Sequence, residues 1–338
     1  MKTGVRALIR DVEYYLPEGT LSDAALKQMF PDWPIEKMAA MTGVENRHIS
    51  GPDEFASDLA VKAAEKLFAN GRVKPGDIDF VILCTMCPDY QFPATACLVQ
   101  KRLGIPTTCG AFDFNMGCSG YIYGLGLAKA LIETGQAANV LFIASEVLTK
   151  ILRKDDKSVQ TIFGDGAAAT WIGATVADED FIGPFDYGTD GSIETMGALA
   201  GGARGVAKWI GNQPWSPEYA AYMNGTKVFN FALGAVPLTI RRALDKAGLD
   251  ANDIDLFVFH QANRFMMEHL RKRMNIPAEN FSVQMAFCGN TVSPTIPIAL
   301  TEERKAGKLR DGMRLLLCGF GVGHSWGSVV VKWSPSLA

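Results

Sequence analysis

The sequence predicts a layered α/β protein in which two copies of one unit stack into a five-layered αβαβα sandwich. Three observations carry this. Helical and strand periodicities alternate along the chain, the order helix, Gly/Pro turn, apolar strand occurs twice, and Asp-Ile-Asp closes the turn both times, at 77–79 and at 253–255.

The first copy is VKAAEKLFANGRVKPGDIDFVIL, an amphipathic helix, a turn and a β-rich run. A helix ending at Gly135, the strand NVLFIAS at 139–145 and the strand AAATWIG follow it. The second copy is TIRRALDKAGLDANDIDLFVF at 239–259, followed by the helix PIALTEERKAGK and the strand RLLLCGF at 314–320. The seam falls near residue 175, which gives an N-terminal half, 1–175, and a C-terminal half, 176–338. Helix 120–134, GYIYGLGLAKALIET, belongs in the shared innermost layer. Gly120, Gly124 and Gly126 would weaken a free helix, and close packing on several sides explains them. The glycine-rich region 183–226 reads as loops inserted between the halves.

Composition narrows the function. With 338 residues, 48% hydrophobic and 20% charged, the chain is an ordinary globular protein. A formal net charge of −3 lacks the basic excess that displaces counterions from nucleic-acid phosphates, so no nucleic-acid partner is expected. Arg6, Arg10 and Asp11 interrupt the start before the apolar core of an export signal could form. The longest uncharged stretch, Phe281 to Thr301, holds Gln284, Asn290, Pro294 and Pro297, which a membrane span would leave unpaired. The expected location is therefore the cytoplasm, away from membranes. Seven cysteines, an odd number, suit reduced thiols there better than a disulfide framework. Cys84 and Cys87 form a C-x-x-C with no second pair to complete a zinc site, and are expected to be small buried residues at a strand end.

Three positions could do chemistry together. Cys118 lies in AFDFNMGCSGYIYGL, where a β-type run enters a Gly-flanked turn and a helix begins. Free amides and the positive end of the helix dipole there favour thiolate over thiol. A cysteine among apolar residues is otherwise a small core side chain, and the strand-turn-helix context is what singles this one out. His260 ends the strand of DIDLFVFHQANRF, at the carboxyl edge where such sheets bind ligands; a hydrogen-bonded core histidine is the other reading. Asn290, in FCGNTVSPTIP, is by itself a Gly-Asn turn signal. It precedes the second-half helix much as Cys118 precedes the first-half helix, so the internal repeat brings both to the centre. The segment GFGVGHSWG, 319–327, either lets main-chain amides approach an oxyanion or forms a Gly-rich hairpin turn.

Together these residues resemble the β-ketoacyl-acyl-carrier-protein synthase III family of thiolase-fold condensing enzymes. The resemblance runs nearly end to end, through YLPEG, TGVENRHI, FPATACLVQKRLGI, the Cys118 turn, IFGDGAAA, HQAN at 260–263, GN at 289–290 and GFGVGHSWG. It implies that Cys118 is acylated, that His260 and Asn290 complete a Cys-His-Asn triad, and that the amides of Cys118 and Gly323 hold the oxyanion. It implies decarboxylative Claisen condensation of an acyl-coenzyme A or acyl-carrier-protein primer with malonyl-carrier protein, with no metal or redox cofactor. It further implies a homodimer in which Phe92 closes the partner's acyl pocket, and carrier-protein docking on Arg271, Lys272 and Arg273. Lys37 and Lys150 stand where the family's adenine-stacking Trp and Arg would be, and Val322 replaces a glycine of the usual loop. The same acylation half would also serve an acyltransferase that passes the acyl group to another nucleophile. A silent acyl-binding subunit would typically lack the cysteine.

Overall fold

The computed structural model describes residues 4–191, 196–197 and 220–337. In chain order the strands are β1 (Gly4–Tyr15), β2 (Gly19–Ser22), β3 (Asn46–Ile49), β4 (Phe80–Cys84), β5 (Gly110–Phe114), β6 (Asn139–Glu146), β7 (Gly166–Ala177), β8 (Ile182–Thr189), β9 (Met196–Gly197), β10 (Tyr222–Met223), β11 (Leu256–Phe259), β12 (Arg314–Gly321) and β13 (Ser325–Lys332). The helices are α1 (Asp23–Met29), α2 (Ile35–Thr42), α3 (Ala56–Ala69), α4 (Thr95–Arg102), α5 (Gly120–Glu133), α6 (Lys157–Gln160), α7 (Gly225–Ala247), α8 (Arg264–Arg273) and α9 (Thr295–Lys305).

Two sheets repeat one topology. The first runs β1-β7-β6-β4-β5 and the second β8-β13-β12-β11. In each, the inner pair is parallel (β4 with β6, β11 with β12) and the next two pairings are antiparallel. A single parallel bridge, Phe257 to Phe281, stands in the second sheet where β5 pairs β4 in the first.

The repeated Asp-Ile-Asp has a physical cause. Asp77 and Asp253 accept the amides of Lys74 and Asp250, which closes a one-turn helix before the strand. Ile78 and Ile254 are buried at 3% and 2% exposure. Asp79 then takes the amides of Ala138 and Asn139 and Asp255 that of Arg314, which sets the register of the neighbouring parallel strand.

Period-two alternation assigns the layers. Ile82, Val140, Phe142, Leu315 and Leu317 turn inward with α5 and α9, in a core that belongs to both sheets. Val81, Leu83, Leu141 and Ile143 face outward onto α3 and α4. Phe257, Phe259, Leu316 and Cys318 face outward onto α7 and α8. The result is the predicted αβαβα sandwich. The α5 glycines are points of close approach between backbone and side chains: an added Cβ would lie 2.3 Å from Cys84 Sγ at Gly120, 2.1 Å from the Phe142 ring at Gly124 and 2.1 Å from Tyr187 Oη at Gly126.

One expectation is corrected. Region 183–226 is not loop throughout: β8 occupies 183–189, because Phe185 and Tyr187 stack on each other (5.4 Å) and cover the outer turns of α5, while α7 already begins at Gly225. Residues 192–195 and 198–219 of that region lie outside the described residues. Among the described residues no helix is long and apolar enough to cross a membrane.

Candidate active site

Cys118 lies between β5 and α5 and is 6% exposed. The strand opposite approaches it at minimum distance, since a Cβ on Gly321 would sit 2.8 Å from Cys118 Sγ. Burial pushes the Cys118 thiol up to about 12, the buried Glu146 adds to this, and hydrogen bonds from the amides of Cys118 and Val322 pull the other way. The thiolate expected at a helix start is therefore not the resting form. Desolvation outweighs the helix end because the sulfur is sealed by an apolar cluster that includes Leu148, Phe163 and Val292. The reactivity of Cys118 towards iodoacetamide is accordingly expected to keep climbing through pH 10 without a plateau, whereas a thiolate stabilised by the helix would saturate near neutrality.

His260 follows β11, its amide bonded to Cys318 O at 2.8 Å. Its ring is 2% exposed and edge-on to Phe320. Nδ1 lies 2.7 Å from Thr295 Oγ1, and that hydroxyl donates to Val292 O at 2.8 Å. The hydroxyl proton being committed, Nδ1 is the donor and Nε2 keeps its lone pair. Burial pushes His260 down to about 3, so the ring is neutral near pH 7.

Asn290 is held by main chain on both sides, its amide to Ile162 O (2.9 Å) and its carbonyl from Gly164 N (3.1 Å). Val292, a β-branched residue at φ 66°, donates its amide to Asn290 Oδ1 at 2.9 Å. This fixes the amide orientation. Nδ2 is thereby turned to Ala262 O (3.4 Å) and His260 Nε2 (3.5 Å).

Cys118, His260 and Asn290 line one cavity, with Met223, Met266 and Val322 among its other walls. Other expected residues lie elsewhere. Gly323 is not part of the lining; Gly321 and Val322 are. The segment is a hairpin turn between β12 and β13, one of the two readings of GFGVGHSWG. Phe92 is 83% exposed on the loop between β4 and α4, beside Tyr90 at 61%. Arg271 is turned to Glu268 (2.8 Å) and Ile276 O (2.8 Å), an i,i+3 pairing at the end of α8, which leaves Lys272 and Arg273 exposed. Lys150 bonds Gly51 O (2.6 Å) and Pro52 O (3.1 Å), and Lys37 is exposed on α2.

Residue-by-residue reading missed Thr295 and Glu146. Glu146 is fully buried at the end of β6, takes the Met86 amide (3.1 Å) and the Ser293 hydroxyl (3.3 Å), and burial pushes it up to about 8. Its signal was present, as a carboxylate directly after the apolar run NVLFIAS. Thr295 had no signal beyond a position at a helix start. All seven cysteines are free thiols, and the described residues contain no group of three potential metal ligands.

Comparison with known proteins follows the same lines. The family model described as 3-Oxoacyl-[acyl-carrier-protein (ACP)] synthase III matches residues 112–191, and its C-terminal counterpart matches 244–333. The β-ketoacyl-[acyl-carrier-protein] synthase III of Caldanaerobacter subterraneus is 36% identical over 327 residues, covering 95% of this chain and 96% of the relative. A crystal structure of a 3-oxoacyl-(acyl-carrier-protein) synthase III is 48% identical with a TM-score of 0.92, covering 97% of this chain and all of the other. The β-ketoacyl-[acyl carrier protein] synthase III of Thermus thermophilus is 34% identical with a TM-score of 0.88, over 97% of this chain and 100% of that one.

Proposed function

Because the chain belongs to the 3-oxoacyl-[acyl-carrier-protein] synthase III family of acyl-transferring condensing enzymes, we propose that it loads an acyl group on Cys118 and condenses it with malonyl-carrier protein in fatty acid biosynthesis. The observation that carries this reading is the meeting of Cys118 from one half with His260 and Asn290 from the other on a single cavity.

In the first half-reaction the neutral thiol attacks the thioester carbonyl as His260 Nε2 takes its proton. The oxyanion accepts hydrogen bonds from the amides of Cys118 and Val322. Collapse expels the donor thiolate, which receives the proton from His260. In the second half-reaction the malonyl group loses carbon dioxide, and Asn290 Nδ2, fixed by the Val292 amide, donates to the enolate oxygen. The net condensation consumes one proton, which His260 Nε2 takes up from water once the negative enolate stands beside it. The enolate carbon attacks acyl-Cys118, the Cys118 thiolate is expelled, and the proton at Nε2 restores the thiol. Thioester chemistry of this kind calls on no metal or redox cofactor.

We further read the enzyme as a cytoplasmic homodimer, since β5 is an edge strand bonded on one side only and the loop of Tyr90 and Phe92 is exposed. A second copy there would bring Phe92 to its neighbour's acyl pocket. Lys272 and Arg273 are free to meet an acidic carrier protein, and the primer arrives on that carrier or on coenzyme A.

The test is intact-mass spectrometry of wild type and Cys118→Ala after incubation with acyl-coenzyme A and acyl-carrier-protein thioesters. Wild type alone should gain one acyl mass, and malonyl-carrier protein should then discharge it as a 3-oxoacyl product. No mass gain with any donor, or an equal gain on Cys118→Ala, overturns the reading.

A further inference from the structure

Val322 lies in the turn between β12 and β13 and borders the cavity that Cys118 lines. Gly321 before it has no side chain, and a Cβ there would press on Cys118 Sγ at 2.8 Å. Val322 is therefore the first side chain of this hairpin beside the sulfur. The isopropyl group is also wedged. Its Cγ1 lies 2.4 Å from the point a Gly117 Cβ would occupy, and Met86 Sδ lies 3.1 Å from that same point. A β-branched side chain has few rotamers to swing into.

We infer that Val322 is a specificity-determining residue that restricts the acyl donor to chains unbranched at the carbon next to the thioester carbonyl; this rests on the acylation of Cys118 proposed above. Amide and isopropyl group share one Cα. Any carbonyl oxygen that accepts from the Val322 amide thus places the substituents of the adjacent carbon against the valine methyls. A methylene passes, whereas an added methyl meets them. One methyl group in a hydrophobic pocket discriminates by about 10- to 200-fold.

The experiment compares Cys118 acylation rates with butyryl and isobutyryl thioesters, isomers of equal carbon number, carried on coenzyme A and on acyl carrier protein. Wild type should favour butyryl by at least about 10-fold, and Val322→Ala should raise the isobutyryl-to-butyryl ratio by about 10-fold. Val322→Thr, of the same shape, should leave the ratio unchanged, and Val322→Ile should lower it further, which tests the idea from the opposite side should the alanine variant fold poorly. A wild type that takes both isomers equally, or a ratio unmoved in both Val322→Ala and Val322→Ile, overturns the inference while Cys118 keeps its role. Absence of acylation in wild type with either isomer and either carrier overturns both.

Discussion

His260→Ala is expected to slow both half-reactions by about 10²- to 10⁴-fold, whereas Asn290→Ala should slow condensation alone. The difference follows from what each side chain presents to the cavity. His260 offers a lone pair at Nε2, because Nδ1 is bound to a hydroxyl whose own proton goes to Val292 O. Asn290 offers only a donor, because its oxygen is occupied by the Val292 amide. A base is needed when the thiol attacks; a donor is needed when the enolate forms. Acylation rates by mass spectrometry and release of carbon dioxide from malonyl-carrier protein separate the two steps. Equal loss of acylation in both variants would refute this division. With His260 pushed down to about 3, its neutral form persists on lowering the pH, so acylation should show no falling limb near pH 6, where an ordinary imidazole would protonate.

Gly124→Ala should destabilise the fold by about 3 kcal/mol, a large effect for one methyl group. The added carbon would stand 2.1–2.5 Å from three Phe142 ring atoms. That ring has nowhere to go: it is fully buried and stacked between Tyr121 (5.4 Å) and Phe114 (6.2 Å). Gly234 in α7 has open space around its missing Cβ, and the same substitution there should be neutral or stabilising by up to about 1 kcal/mol. Urea titration of the two variants against wild type measures the contrast, and similar midpoints for both would show that the central helix can shift to make room.

Much of this was legible in one dimension because backbone requirements leave marks in sequence. Asp-Ile-Asp recurs since two carboxylates must satisfy specific amides on either side of a buried isoleucine, and the α5 glycines stand out since nothing larger fits. Cys118 and Asn290 could be paired through the repeat, and His260 joined them through its place at a strand end and the family resemblance. Other features depend on balances that sequence does not display. The ionisation of Cys118 is set by burial against a helix end, and which wins depends on residues as distant as Leu148 and Phe163. Whether residue 322 or 323 lines the cavity is a matter of hairpin register, fixed by pairing from Arg314–Lys332 through Gly321–Ser325. Region 183–226 misled because glycines and prolines also occur in β8, an outer strand whose stacked aromatics declare themselves only against α5.

The shared core has a thermodynamic consequence. Since α5 and α9 lie between the sheets and serve both, neither half can open its inner face without stripping the other of its partner. Arg304, at the end of α9, reinforces this by bonding Asp11, Glu13 and Val12 O on β1 of the opposite half. The two halves should therefore melt together as one cooperative unit despite being copies, with the slowest-exchanging amides of both sheets reporting a single opening free energy.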